Sequence, residues 1–182
     1  MRLTWQDGSR LWIDLRATGL LRAVAHSPTL TARPDRVTVE LADPPNEADV
    51  EASFRADAIE APADIPASDR SKMVENLRSR DVLDARHHPT IDFRGRYVGT
   101  LEAGTLSGDL RLRGAPRRLT MTIRVSRRDR ALVATGAWEG RLTDLGIRPF
   151  KALLGAIKLE DRITLRLDMR FDAPSGLSLP GL

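Results

Sequence analysis

The run ITLRLDMRF, residues 163–171, alternates without a break. Ile163, Leu165, Leu167, Met169 and Phe171 fall on one side of an extended chain, and Thr164, Arg166, Asp168 and Arg170 on the other. LTMTIRV (119–125) repeats the pattern, with Leu119, Met121, Ile123 and Val125 opposite Thr120, Thr122 and Arg124. So do RLWIDLR (10–16), RVTVEL (36–41), TIDFRGRY (90–97) and LSGDLRLRG (106–114), and more weakly EASFRADAI (51–59) and ALVATGAWEGRL (131–142). A period of two marks strands with one dry and one wet face, the habit of an antiparallel sheet. About eight such strands must bury their dry faces together, which predicts an all-β sandwich or closed barrel.

A membrane barrel alternates as well, but needs a secretory leader and strands of about 9–11 residues. Several of these runs are shorter, and the opening residues carry Asp7, Arg10, Asp14 and Arg16 in place of a leader's apolar stretch. The expectation is a soluble, cytoplasmic protein, or a periplasmic one if a leader was trimmed. Its 182 residues suit a single domain spanning 1–182, with APSGLSLPGL (173–182) as a loose tail.

Two segments depart from the alternation. In DRSKMVENLRSRDVLDA (69–85), Met73, Val74 and Leu77 share a helical stripe, and Asp69 or Ser71 is placed to cap it. In RPFKALLGAI (148–157), Phe150, Leu153 and Leu154 are spaced for a second short helix. EAPADIPAS (60–68), with two prolines, reads as a loop.

The chain has no cysteine, which removes disulfides, thiolate metal sites and thiol nucleophiles. The glycine and histidine signatures of common hydrolases, nucleotide binders and zinc proteases are missing too. His87 and His88 are adjacent, so in a strand they point to opposite faces and cannot chelate one ion together. His26 is the only other histidine, and a metal site would need two histidines plus a carboxylate such as Asp84 or Asp92. A catalytic site would use His87, His88 and Asp92, or the pair Asp81 and Asp84. The simpler expectation is that both histidines hydrogen-bond around the turn at Pro89, and that the two aspartates cap a turn or pair with Arg78 and Arg80. Metal and catalytic residues are expected to be none.

The net charge of +4 is unevenly laid out: +3 over residues 1–33, −7 over 34–92 and +8 over 93–182. Arg111, Arg113, Arg117, Arg118, Arg124, Arg127, Arg128 and Arg130 crowd one hairpin region. Such a cluster suits phosphates, in nucleic acid or at an anionic lipid surface. No aromatic lies between Tyr97 and Trp138 to stack bases, so nucleic acid is not expected. A solvated strand face explains the cluster most simply, and docking to an acidic surface is the alternative function.

The dry face offers Ile91, Phe93, Leu110, Leu112, Met121, Ile123, Trp138, Leu165, Leu167 and Met169. With only three Trp, four Phe and one Tyr in the chain, such an interior is mostly aliphatic. It either fills a closed core or lines a bore, where small residues such as Gly108, Ala134 and Gly136 would make room.

NLRSRDVLDARHHPTIDFRG (76–95) resembles the YceI-like family, whose members carry a Leu-Arg-Ser motif, spaced aspartates and a Tyr-Pro or His-Pro step into a strand. LSGDLRLRGAPRRLTMTIRV (106–125) is similar to that family's central hairpin, with Arg113 where a His is usual. TDLGIRPF (143–150) resembles its Asp-Phe-Gly-Ile landmark, with Leu145 for the Phe, and GLLRAVAHSPTLTA (19–32) is a looser match. The resemblance spans roughly residues 9–173. It implies an eight-stranded antiparallel lipocalin-like barrel holding a polyisoprenoid lipid or quinone tail, and tips the ten dry-face residues toward a ligand-binding lining. Cofactors are then none beyond a bound polyisoprenoid. The expected partner is an isoprenoid-type lipid, with an anionic membrane surface as a further option. Oligomeric state is left open, a homodimer included. The 76–95 stretch becomes scaffold: a short helix, then a proline-marked entry into a strand.

Overall fold

A computed structural model describes residues 1–18, 27–100, 102–129, 131–152 and 157–173. His26, Arg130, Leu153, Leu154 and nearly all of the C-terminal tail lie outside them, as do residues 19–26 of the looser family match.

Each alternating run forms a strand: β2 (Arg10–Thr18), β4 (Pro34–Leu41), β5 (Glu47–Arg55), β6 (Thr90–Gly99), β7 (Ala103–Leu112), β8 (Ala115–Arg128), β9 (Ala131–Gly140) and β11 (Ile157–Asp172). Three short strands join these eight: β1 (Arg2–Leu3), β3 (Thr29–Ala32) and β10 (Lys151–Ala152). They were not expected, because two to four residues are too few to display a period. All pair antiparallel in one sheet, in the order β1-β4-β5-β6-β7-β8-β9-β11-β2-β3, with β10 beside β11. The Arg113–Gly114 hairpin takes positive φ at both residues (51° and 75°), the turn whose twist matches paired strands.

The sheet curls until its two edges are tied. Past β1, which pairs with β4, Trp5 bridges to Phe171 of β11, and Asp172 donates its N–H to the Thr4 carbonyl at 2.8 Å. On the other edge, Thr31 of β3 exchanges N–H···O bonds with Glu60, 3.0 and 2.8 Å long. The result is a lipocalin-like barrel whose dry faces meet inside: Phe54 opposite Ile91, Phe93 opposite Leu110, Leu106 opposite Tyr97 and Met121.

Helix α1 (Ala67–Arg78) lies across one end. It starts two residues before the expected segment and stops seven short of its end. Pro66 stands at its N-cap with no side-chain cap; the Ser71 hydroxyl instead bonds back to the Ala67 carbonyl. It ends because the Ser79 N–H and hydroxyl both turn back to the Asn76 carbonyl, at 3.1 and 2.6 Å. The second helix does not form where the structure describes it. Lys151–Ala152 pairs with Ile157–Lys158 as a strand, so the helical spacing of 148–157 was coincidental there. Among the described residues no helix is long and apolar enough to cross a membrane.

Candidate functional site

An outer cavity of about 460 Å³ opens at the α1 end of the barrel. Strand residues Ile13, Leu15, Leu30, Ile91, Leu112 and Ile163 form its walls. Met73 and Leu77 of α1 face it, which is why this helix carries an apolar stripe while burying no residue fully. Exposed Asp69, Lys72 and Arg148 and half-buried Asn76 stand at the rim beside Phe150, itself 42% exposed.

Two non-repetitive segments complete the wall. After α1, the Asp84 N–H bonds to the Ser79 carbonyl (2.7 Å), and the His87 and His88 N–H groups both reach the Asp84 carbonyl (3.0 and 2.9 Å). This coil drives Val82 and Leu83 into the cavity lining, then delivers Pro89, whose carbonyl accepts from Ala56. The second segment is the turn at 141–147. The Thr143 N–H and hydroxyl bond to the Asp161 carboxylate at 2.9 and 2.7 Å, and the Ile147 N–H returns to Leu142. Those bonds, the hydroxyl foremost, hold the Asp161 carboxyl below its ordinary pKa. Leu142, Leu145 and Ile147 thereby point into the cavity. Period-two reading missed Leu83, Leu142, Leu145 and Ile147, because turns have no period. The signal present was that both segments carry the motifs of the family resemblance.

Deeper in the bore an inner cavity of about 170 Å³ is lined by Val39, Leu106, Met169 and Phe171 among others. The ten dry-face residues divide between the two spaces. Ile91 and Leu112 line the outer; Phe93, Met121, Ile123, Leu167 and Met169 the inner; Leu110 and Leu165 both. Trp138 faces the same way but lines neither, since its ring lies flat over Gly140, where a Cβ would collide with it. Phe93 is flattened likewise: a Cβ at Gly95 or Gly108 would sit 2.7 or 2.6 Å from its Cζ. Glycines on the inner wall thus bed the rings against it and keep them out of the bore. Ala134 lines the inner cavity, whereas the space at Gly108 and Gly136 is taken by Phe93 and Ile123.

The polar candidates do not converge. His87 Nδ1 lies 2.8 Å from Asp84 Oδ1, and that hydrogen bond foremost lowers the Asp84 pKa. Asp92 accepts instead from Ser53 (2.7 Å) and Thr90 (2.9 Å). No three metal-ligating side chains gather among the described residues. Of the arginines, Arg118 pairs with Asp109, Arg113 donates to the Gly146 carbonyl (3.4 Å) and Arg127 to the Asp129 carbonyl (3.4 Å). Half-buried Arg117 is tucked beneath the 141–147 turn, where a Cβ at Gly146 would lie 2.6 Å from its Nη2.

The fold and the sequence point the same way. The structure of BcnA from Burkholderia cenocepacia superposes with a TM-score of 0.67 at 9% identity, covering 89% of this chain and 95% of that one. The YCEI protein of Campylobacter jejuni gives 0.56 at 12% identity, covering 79% and 85%. No curated protein is similar enough in sequence to match. The sequence fits the YceI-like domain over residues 13–171, and with that span matched the chain belongs to the YceI-like family.

Proposed function

We propose that this protein takes up the apolar tail of an isoprenoid-type lipid or quinone in its outer cavity and carries it without chemical change. The observation that carries this reading is the cavity itself. Its volume of about 460 Å³ falls within the roughly 300–1,000 Å³ usual for small-molecule sites. Its walls are aliphatic, and each methylene they shelter from water is worth about 0.8 kcal/mol. A branched hydrocarbon needs no directional partner there, and the deep wall offers none. The polar rim suits a headgroup left at the mouth, with Lys72 and Arg148 as donors, the Asp69 carboxylate as an acceptor and the Asn76 amide able to do both.

The reading is non-catalytic, because His87 and Asp92 are occupied by separate hydrogen-bond partners. Docking to an acidic surface through the arginine-rich half draws less support. Many outward arginines already face carboxylates: Arg94 with Glu51, Arg118 with Asp109, Arg162 with Glu139 and Arg166 with Asp14.

Native mass spectrometry of the purified protein, before and after organic extraction and reloading with farnesol, tests the proposal. A bound or reloadable terpenoid is the expected result. An indole placed in the outer cavity by Ile13→Trp should abolish reloading. A protein that yields no lipid and takes up no farnesol would overturn the reading.

A further inference from the structure

The two cavities meet at one level of the barrel. Leu11, Phe54, Leu110 and Leu165 line both, and no other lining residue is shared among the described residues. They come from four different strands, β2, β5, β7 and β11. Strands β7 and β11 cross from one space to the other at that residue, whereas beyond it β2 lines only the outer cavity and β5 only the inner. Along β11, Ile163 faces only the outer cavity, Leu165 both and Leu167 only the inner. Along β7 the same order runs Leu112, Leu110, Leu106, and along β5 Phe54 gives way to Ala52.

We infer that these four side chains form a partition across the bore, and that Phe54, the largest of them, sets the length of tail the protein accepts. The inference rests on the reading that the interior takes up an apolar chain, and adds which chain. An apolar cavity of about 150 Å³ holds one benzene. By that measure the outer cavity, at about 460 Å³, takes about eighteen carbon atoms. The inner one, at about 170 Å³, takes about six more. The outer space therefore fits a linear terpenoid between farnesol and geranylgeraniol in length. The inner space corresponds to one further isoprene unit and lies behind the partition.

The test is calorimetric binding of geraniol, farnesol, geranylgeraniol and geranylfarnesol to the full chain. Affinity should climb from geraniol to farnesol, by about fourfold per buried methylene at most, and level off beyond the outer cavity's length. Phe54→Ala opens the partition, so the rise should continue to geranylfarnesol by about tenfold or more. Leu110→Ala, at a half-buried position gentler to the fold, should extend the rise in the same way. Met121→Ala enlarges only the inner cavity and should leave the break where it is. A wild-type series that rises without a break overturns the partition. So does a break that neither Phe54→Ala nor Leu110→Ala moves. Either result leaves tail uptake standing; failure of every alcohol to bind removes that reading and the partition with it.

Discussion

The two ends of the barrel share strands β2, β5, β6, β7 and β11, yet one is hollow and the other nearly full. At the α1 end the strands carry Ile13, Leu15, Leu112 and Ile163, and the wall is completed by side chains borrowed from turns, around about 460 Å³ of space. At the far end Phe93, Tyr97, Met121, Met169 and Phe171 leave about 170 Å³. The difference teaches that side-chain bulk, more than strand number, sets how much of a bore stays open. At the narrow end the Phe93 ring lies flat over Gly95 and Gly108. Tyr97 shows a second device: its hydroxyl is anchored to the Thr100 carbonyl, and burial raises its pKa.

Breaking the flat arrangement should have the largest effect. A Cβ at Gly108 would lie 2.5 Å from the Gly95 Cα and 2.6 Å from the Phe93 ring. Gly108→Val should cost about 3 kcal/mol or more, read as a drop in the urea midpoint. Gly140→Val should act similarly through Trp138, whose ring occupies the space above it. If Gly108→Val were neutral, the ring would be free to swing inward and the narrow end would owe its openness to something else.

A pair of matched truncations sharpens the contrast. Ile123 is 4% exposed at the narrow end, whereas Ile13 is half-buried beside the large cavity. Ile123→Ala strips a tightly packed side chain beside the small cavity and should cost about 3–4 kcal/mol, while Ile13→Ala trims the looser wall of the large one and should cost about 2 kcal/mol or less. Equal shifts in the denaturant midpoint would mean that the two ends are packed alike.

How much of this was legible in the sequence follows the same division. Alternation located the eight long strands and placed nine of the ten dry-face residues against one cavity or the other, because a half-buried strand must repeat every second residue. The turn-borne lining, from Leu83 to Ile147, obeys no repeat and surfaced only as motif. Trp138 was misplaced because its ring lies over Gly140, and the same aromatic-x-glycine spacing, Phe93-Arg94-Gly95, accompanies the flattened Phe93. Helical spacing at 148–157 misled because a few apolar residues fit more than one period: Phe150 sits exposed at the rim and Lys151–Ala152 pairs in the sheet. The cavities themselves were not legible, since volume depends on ring orientation and on which turns fold over the end.

The smallest effect concerns how the hollow end is held. There the ladder between β11 and β2 is interrupted between Leu159 and Ile163, and β3 is only four residues long. On the outer face Asp14 of β2 accepts from Arg166 Nε and Nη2 of β11, at 2.5 and 3.0 Å, and from the Thr29 hydroxyl of β3 at 2.7 Å. The Arg166 guanidinium also lies 5.5 Å from the Trp12 ring centroid. Its hydrogen bond outweighs partial burial and, with Thr29, holds the Asp14 carboxyl below its ordinary value of 3.8. A carboxyl whose pKa falls on folding stabilises the protein above its unfolded value, and loses that contribution as pH drops through the folded one. Arg166→Leu should therefore weaken the protein at neutral pH by no more than about 1 kcal/mol, the pair being partly exposed. The deficit should shrink as Asp14 protonates in acid, which paired urea titrations at neutral pH and below the ordinary carboxylate range would show. A deficit that stays constant into acid would mean that Arg166 acts by packing on Trp12. The hollow end would then be fastened by contact area, as the full end is, and not by charge across its seam.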